Sequence, residues 1–318
     1  MDSWDALLID AECGDRRAVS RLISRVEARE SGWQAAMESL YSRSMPPDVI
    51  GITGSPGTGK STLTGRLASE FSERGLSVAI LAVDPSSPYS GGALLGDRLR
   101  MPDLDRHDVL LRSMATRGAS GGLARSAADV IRILGAAGRT LVLVETVGIG
   151  QVDVDVARLA DMTVVICIPG QGDRVQAIKA GLLESASILV VNKADRDGAD
   201  GVIADLQTML RVTAGVAARP LLRTVATLGT GVPELADALL AGLEARRAQC
   251  ETRKTLAGEV RDLVDEDLLQ SFWTTGGGEQ VLASLLTRAE LSTMNPYGIY
   301  RALLAARPLP TLSQCSAE

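Results

Sequence analysis

Residues 54–61 constrain this chain more than any other segment, because they read Gly-Ser-Pro-Gly-Thr-Gly-Lys-Ser and match the pattern GxxxxGK[ST]. An apolar run at 49–53 precedes the motif and an amphipathic stretch at 63–73 follows it, so it joins a predicted strand to a predicted helix. Glycines let successive N–H groups face a phosphate, and the helix N-terminus adds its dipole. The segment therefore predicts a phosphate-binding loop.

The lysine and the hydroxyl that end this loop have separate predicted roles. Lys60 neutralises β- and γ-phosphate oxygens, and Ser61 ligates Mg²⁺. A glycine-rich turn without function is the alternative, and the flanking strand and helix argue against it. The predicted phosphate-binding residues are Gly54, Ser55, Gly57, Thr58, Gly59, Lys60, Ser61 and Thr62.

A second motif, Asn192-Lys193-Ala194-Asp195, follows the apolar run 188–191. An aspartate carboxylate in such a motif accepts from N1–H and the exocyclic amine of guanine. Adenine presents a bare ring nitrogen there, and an unpaired buried polar group costs about 1–3 kcal/mol. Alone the motif is weak evidence, because Asn and Asp are common after strands. Here it lies where open α/β sheets bind ligands, so Asn192, Lys193 and Asp195 are predicted to read the base of GTP or GDP.

Two further predicted strands end in acidic residues, Asp84 and Glu145. Glu145 begins an ExxG pattern, in which the carboxylate orders Mg²⁺-bound water and the Gly148 N–H senses the γ-phosphate. Asp84 opens a long loop with glycines and serines that runs to Asp97 and suits a nucleotide-dependent switch. For Asp97, the residues alone leave a solvent-exposed acid as the alternative.

Between residues 49 and 232, strand-like apolar runs alternate with helical patterns, which is typical of successive βαβ units. The predicted fold class is α/β, a P-loop NTPase with a mainly parallel central sheet flanked by helices. The predicted domains are an N-terminal helical arm at 1–46, a GTPase domain at 47–248 and a C-terminal helical segment at 249–318. The predicted strands are 49–53, 78–83, 109–112, 141–145, 163–168, 188–191 and 221–225.

Composition argues against several other classes of protein. The chain of 318 residues has a formal charge of −6 and no run of Lys or Arg that would follow a nucleic acid or an anionic membrane. Its 4 cysteines are scattered and it has 1 histidine, so neither a disulfide framework nor a zinc site is indicated. The acidic start is unlike a signal peptide, and no apolar stretch reaches the roughly 18–20 residues of a membrane span. We expect a cytoplasmic protein.

The segments GSPGTGKST, AVDPSSPYSGGALLGDRLRM, RSMATRGASGGLAR, VETVGIGQVDVDVA and PGQGDRVQAIKAGL, with NKAD, resemble the MeaB family of G-protein chaperones. Its human counterpart is the methylmalonic aciduria type A protein, and the family lies in the SIMIBI class of P-loop GTPases. The resemblance implies slow GTP hydrolysis that a B12-dependent partner, methylmalonyl-CoA mutase or a related acyl-CoA mutase, accelerates. It also implies gating of adenosylcobalamin loading, protection and reactivation, with the cobalamin held by the partner.

The resemblance further implies a homodimer formed through the C-terminal helices, and a cobalamin adenosyltransferase as another partner. Ser61, Asp84, Asp97 and Glu145 are similar to the family's Mg²⁺ residues. Lys179, in the extra switch loop 170–179, is similar to the lysine that supports partner-stimulated hydrolysis. Without the resemblance, Lys179 would be interpreted as a solvated helix residue. The implied catalytic residues are Lys60, Glu145 and Lys179.

The chain departs from the family pattern in two segments. The switch loop has Arg174 and Val175 where the family usually reads GDELQ, which reverses a charge in a region that faces the partner. Val225 replaces the serine of a Thr-Ser-Ala motif, while the Ala226 N–H is still expected to approach the guanine oxygen. The first departure leaves the identity of the mutase open.

Three other functions fit the residues less well. A transport-associated kinase needs a second substrate pocket, and an ATP-dependent enzyme has no use for an NKxD motif. A nickel-insertion GTPase needs Cys and His clusters, and the chain offers only His107 and no paired cysteines. A targeting GTPase of the signal-recognition type needs a methionine-rich peptide-binding domain or a membrane-docking segment, and the sequence indicates neither.

Overall fold

Seven apolar segments form one parallel sheet in the order β3-β2-β4-β1-β5-β6-β7. The computed structural model describes residues 3–84, 107–115, 122–146, 159–170, 186–212 and 219–248, and in the tail 268, 272–273, 277–278, 280–282, 284 and 303. The strands are β1 Asp48–Gly54, β2 Val78–Asp84, β3 Leu110–Ala115, β4 Leu141–Thr146, β5 Met162–Cys167, β6 Ile188–Asn192 and β7 Leu221–Thr224. All six pairings between them are parallel.

Helices α1 to α3 precede the sheet, and four more described helices alternate with its strands. The helices are α1 Trp4–Glu12, α2 Arg16–Glu27, α3 Trp33–Arg43, α4 Lys60–Glu73, α5 Gly122–Ala136, α6 Ala199–Val212 and α7 Val232–Ala248. The predicted α/β class and parallel sheet are confirmed. Residues 177–184, whose sequence pattern predicts a further helix, lie outside the described residues.

Residue alternation along the strands assigns the two faces of the sheet. Ile50 and Ile52 of β1, with Val164 of β5, face the apolar sides of α4 and α7. The next residues along each strand face the opposite side, where Val49 packs with α5 and Val165 with α6. Burial on both faces explains why the inner strands β1, β2, β4, β5 and β6 are mostly apolar, whereas the outer strands β3 and β7 each contain an arginine.

The N-terminal helices pack into the same hydrophobic core as α5 and the sheet. Their apolar stripe, at helical spacing, includes Leu8, Leu22, Ile23 and Leu40, all buried. Arg29 of the α2–α3 turn pairs with Asp129 of α5 at 2.9 Å, and Asp129 is 0% exposed. The arm at 1–46 therefore has an ionic as well as an apolar attachment to the rest of the domain.

Two compact units divide the chain, Met1–Cys250 and Glu251–Glu318. In the second unit, the rings of Phe272 and Trp273 meet edge to face with centroids 4.9 Å apart. No helix in the part of the chain that the structure describes is both long and apolar enough to cross a membrane. Cys167 lies in the core of the first unit, where burial raises the pKa of its thiol to about 12.

Candidate functional site

The candidate site lies at the carboxyl end of β1, where neighbouring strands are followed by connections that run in opposite directions. β1 pairs with β4 on one side and β5 on the other; the chain continues from β1 to β2, on the β4 side, and from β5 to β6, away from β1. Loops diverge at such a switch point and leave a crevice at the strand ends. The predicted phosphate-binding loop begins at this point, with Gly54 as the last residue of β1.

Backbone geometry explains two glycines of the loop. Gly54 has φ +147°, and a Cβ there would lie 2.5 Å from the Ile166 carbonyl oxygen. Gly59, the N-cap of α4, has φ +90°, and its Cβ would lie 2.6 Å from Nδ2 of Asn192. Both positions combine a left-handed backbone with a close neighbour, so only glycine fits.

The other cradle residues close the loop on itself. Lys60 is buried, and its Nζ donates to the carbonyls of Gly54 at 2.8 Å and Ser55 at 3.1 Å. Thr58 donates its N–H and its hydroxyl to the Ser55 carbonyl. The first turn of α4 then carries Ser61 and the partly exposed Thr62. This arrangement concentrates N–H groups and one ammonium at a helix N-terminus, which suits an anion.

A hydroxyl and a carboxylate meet beside the cradle. The Ser61 hydroxyl donates to Oε1 of Glu145 at 2.5 Å, and Glu145 is buried at the end of β4. Register places Glu145 opposite Ile52 of β1 and Ala82 of β2. β2 ends at Asp84, so both acidic strand ends lie on the β4 side of β1, although the side chain of Asp84 lies outside the described part. Oxygen donors of this kind are the ones that Mg²⁺ prefers.

Several predicted residues fall outside the described residues, and their positions stay predictions. They are Asp97, Gly148, Arg174, Val175 and Lys179, with Arg100, which is similar to a switch I residue of the family, and the switch loop from residue 171 onward. Gly170, the residue before that stretch, follows β5 with φ +82°.

Asn192 joins the predicted base reader to the cradle. Its Nδ2 donates to the Thr58 carbonyl at 2.8 Å, and its Oδ1 accepts from the Thr224 hydroxyl at 3.0 Å and the Ala226 N–H at 3.1 Å. Lys193 adopts φ +55°, and its Nζ donates to the Gly57 carbonyl at 2.8 Å. The first two residues of the motif thus hold the loops together, while Asp195 is exposed to solvent.

The structure adds one residue that sequence reasoning missed. Thr224, at the end of β7, is buried and fixes the orientation of the Asn192 amide. The sequence signal for this role is a threonine near the end of the predicted strand that follows the NKxD motif. The Ala226 N–H, which is predicted to approach the guanine oxygen, donates to Asn192 at 3.1 Å in this structure. Its contact with guanine stays a prediction.

Comparisons with known proteins agree with this geometry. The MeaB family model, described as methylmalonyl Co-A mutase-associated GTPase, matches residues 19–276. A protein of Pyrococcus horikoshii named as a candidate GTPase is 43% identical over 289 residues, 84% of this chain and 90% of that protein. The fused isobutyryl-CoA mutase of Cupriavidus metallidurans is 38% identical over 198 residues, which are 61% of this chain but 18% of that protein.

Among solved structures, a LAO/AO transport system kinase superposes with a TM-score of 0.69 and 24% identity, covering 95% of this chain and 97% of that one. At this identity the similarity establishes the fold alone. The family model covers most of the chain, including the cradle, the two acidic strand ends and the base-reading motif. The chain therefore belongs to the MeaB family of methylmalonyl Co-A mutase-associated GTPases.

Proposed function

We propose that this chain hydrolyses GTP with Mg²⁺ and uses the hydrolysis cycle to control a B12-dependent acyl-CoA mutase. The cradle at residues 54–61 would hold the phosphates, with Lys60 turning from its carbonyl partners toward the β- and γ-oxygens. Asp195, exposed at the rim, would pair with the guanine edge while Asn192 and Lys193 keep the two loops in register. The exposed carboxylate remains accessible to a ligand from solvent.

The donor set supports a magnesium site. Ser61 and Glu145 present a hydroxyl and a carboxylate within hydrogen-bond distance of each other, next to the phosphate cradle. We propose Ser61 as a direct ligand, Glu145 as the acceptor that orders metal-bound water, and Asp84 and Asp97 as the remaining members. The metal would supply charge neutralisation of the phosphates. Lys179 is proposed as the lysine through which the partner accelerates hydrolysis.

One observation carries the proposed partner. A segment similar to 61% of this chain forms part of a single polypeptide named fused isobutyryl-CoA mutase, where it occupies only 18% of the length. Fusion keeps two domains at high effective concentration, which favours pairs that act together. The description of the family model, methylmalonyl Co-A mutase-associated GTPase, supports the same class of partner. We propose that the partner holds adenosylcobalamin, and that GTP turnover gates its loading, protection and reactivation.

The test is GTP hydrolysis measured alone and with purified methylmalonyl-CoA mutase or isobutyryl-CoA mutase. We expect slow turnover alone and at least tenfold acceleration by one of the mutases. Lys179→Ala should keep the intrinsic rate and lose the acceleration. Equal losses of both rates would assign Lys179 to nucleotide binding or folding, and no acceleration by either mutase would contradict the proposed partnership.

We also propose a homodimer formed through residues 249–318, with a cobalamin adenosyltransferase as an additional partner. Sedimentation of the full chain should give a dimer at micromolar concentration, and a monomer would contradict the first proposal. Transfer of adenosylcobalamin from an adenosyltransferase to the mutase, followed by its absorbance, tests the second.

The alternative functions have less support. A nickel-insertion role would need ligands near the nucleotide, yet the chain's single histidine, His107, precedes β3 at the amino end of the sheet, opposite the cradle. The name transport system kinase belongs to a structural neighbour that shares the fold, and a kinase would give no role to Asp195.

A further inference from the structure

Arg66 connects the helix that begins at the cradle to the loop beside the base reader. It lies on α4, six residues after Lys60, and its Nη2 donates to the Thr227 carbonyl at 3.1 Å. Thr227 belongs to the segment 225–231 between β7 and α7, here called the base loop. The guanidinium is exposed, so the bond lies at the surface of the domain.

The base loop has an internally fixed shape. Val225 donates its N–H to the Thr230 carbonyl at 2.9 Å and forms an isolated antiparallel bridge with it. Leu228 donates to the Val225 carbonyl at 2.9 Å. Gly231, at φ +77°, lies so close to Arg223 that a Cβ would be 2.0 Å from its carbonyl oxygen. Because the turn is closed, contacts with other elements determine where it lies relative to the cradle.

Two hydrogen bonds connect this turn to the nucleotide site. The Ala226 N–H donates to Asn192, whose amide donates to Thr58 of the cradle. Arg66 of α4 donates to the next residue of the turn, Thr227. Since Thr58 leads through Gly59 into α4, these bonds form a closed ring from α4 through the base loop and Asn192 back to α4.

We propose that Arg66 is a positioning residue for guanine recognition, because its bond closes this ring and fixes the base loop against the helix of the cradle. The inference rests on the base-reading role proposed above. A charged donor strengthens the bond to a carbonyl, while exposure to water limits its effect. Without this bond the base loop keeps its contact with Asn192 but loses its contact with α4, so the loop can move away from the base.

The test is the dissociation rate of a fluorescent GDP analogue from the full-length protein. Arg66→Met keeps much of the stem and removes the donors, and we expect dissociation about three- to tenfold faster, as one exposed charge-assisted bond allows. Arg66→Lys retains a cationic donor and should recover part of the effect. Binding of tripolyphosphate, which has no base, should be unchanged in both variants.

Arg74→Met is the matched control. Arg74 is the C-cap residue of the same helix and donates to the Pro233 carbonyl at 3.2 Å. Its guanidinium also pairs with Asp237, so these contacts join it to α7 and not to the base loop. We expect a wild-type rate of GDP dissociation from this variant, even if its thermal midpoint falls.

Two results would overturn the inference. One is wild-type GDP dissociation from Arg66→Met, and the other is a proportional loss of tripolyphosphate binding, which would indicate a general defect of the cradle. A wild-type protein that retains ADP as long as GDP would instead contradict the base reader itself, and the inference would fail with it.

Discussion

The side-chain amide of Asn192 donates to the main-chain carbonyl of Thr58 at 2.8 Å, across the gap between the base-reading motif and the phosphate cradle. The same side chain accepts two hydrogen bonds from the end of β7 and the loop after it, from Thr224 and Ala226. Asn192 is 2% exposed, so these bonds form away from water. Hydrogen bonds within the protein itself therefore connect the segment expected to contact the base with the segment expected to contact the phosphates.

Asn192→Ala should destabilise the protein as well as weaken nucleotide binding. Removing the amide leaves the buried Thr224 hydroxyl and Thr58 carbonyl short of a partner, which costs about 1–3 kcal/mol of unfolding free energy. Urea denaturation of the nucleotide-free protein measures this, and GDP titration should show about ten- to hundredfold weaker binding. The exposed Asp195→Ala variant is the control and should unfold like the wild type. An Asn192→Ala variant with wild-type unfolding free energy would contradict the proposal that Asn192 stabilises the connection between the motif and the cradle.

Asp129→Asn should destabilise the attachment of the N-terminal helices. The pair joins Arg29, with a side chain 19% exposed, to a carboxylate that is 0% exposed. Breaking a buried pair from one side costs about 3 kcal/mol, because the remaining charge stays desolvated. Asp237→Asn breaks the exposed pair with Arg74 and should cost about 0–1 kcal/mol in the same denaturation experiment. Equal losses of unfolding free energy in the two variants would contradict the expected difference between the buried and the exposed ion pair.

Asp161 should make stability depend on pH. Burial raises the pKa of this carboxyl above its ordinary 3.8, while the Val49 N–H and Arg246 favour the charged form. A raised pKa in the folded state contributes stability below pH 3.8 that is lost as pH rises through the folded value. Asp161→Asn keeps an oxygen acceptor for Val49 and removes the titration. The unfolding free energy of Asp161→Asn, relative to that of the wild type, should therefore increase as pH rises from 3.8 toward neutrality.

Asp108 provides an internal contrast for that experiment. Hydrogen bonds from Arg16 and Arg139 lower its pKa against the opposing effect of burial, so its contribution is lost below pH 3.8, on the acid side. If the difference in unfolding free energy between the wild type and Asp161→Asn stayed constant from pH 4 to 7, Asp161 would not titrate in this way.

Two-sided burial made the strands readable from the sequence. Each of the seven predicted strands overlaps an observed one. For the inner strands the reason is that a strand covered on both faces is a nearly continuous apolar run. The ends were harder to predict. α4 begins at Lys60, three residues before the predicted 63–73, because the glycine at 59 caps the helix within the motif itself. β3 extends to Ala115, beyond the predicted end at residue 112.

Long-range polar contacts could not be read from the sequence. Arg29 and Asp129 are 100 positions apart, and a helical stripe indicates which face is buried but not which charge lies opposite. The motif at 192–195 predicted a nucleotide site, but not that Asn192 and Lys193 would contact the cradle carbonyls. Those contacts depend on β6 lying two strands from β1, which the three-dimensional topology determines.

The central claim is that Asp195 reads guanine while the cradle holds the phosphates. Calorimetric titration of wild type and Asp195→Asn with GDP, ADP and xanthosine diphosphate tests it most directly. We predict that the wild type binds GDP at least a hundredfold more tightly than ADP, and that Asp195→Asn shifts preference toward xanthosine diphosphate with unchanged stability. Equal affinity of the wild type for GDP and ADP, or an Asp195→Asn variant that still prefers GDP, would contradict the account.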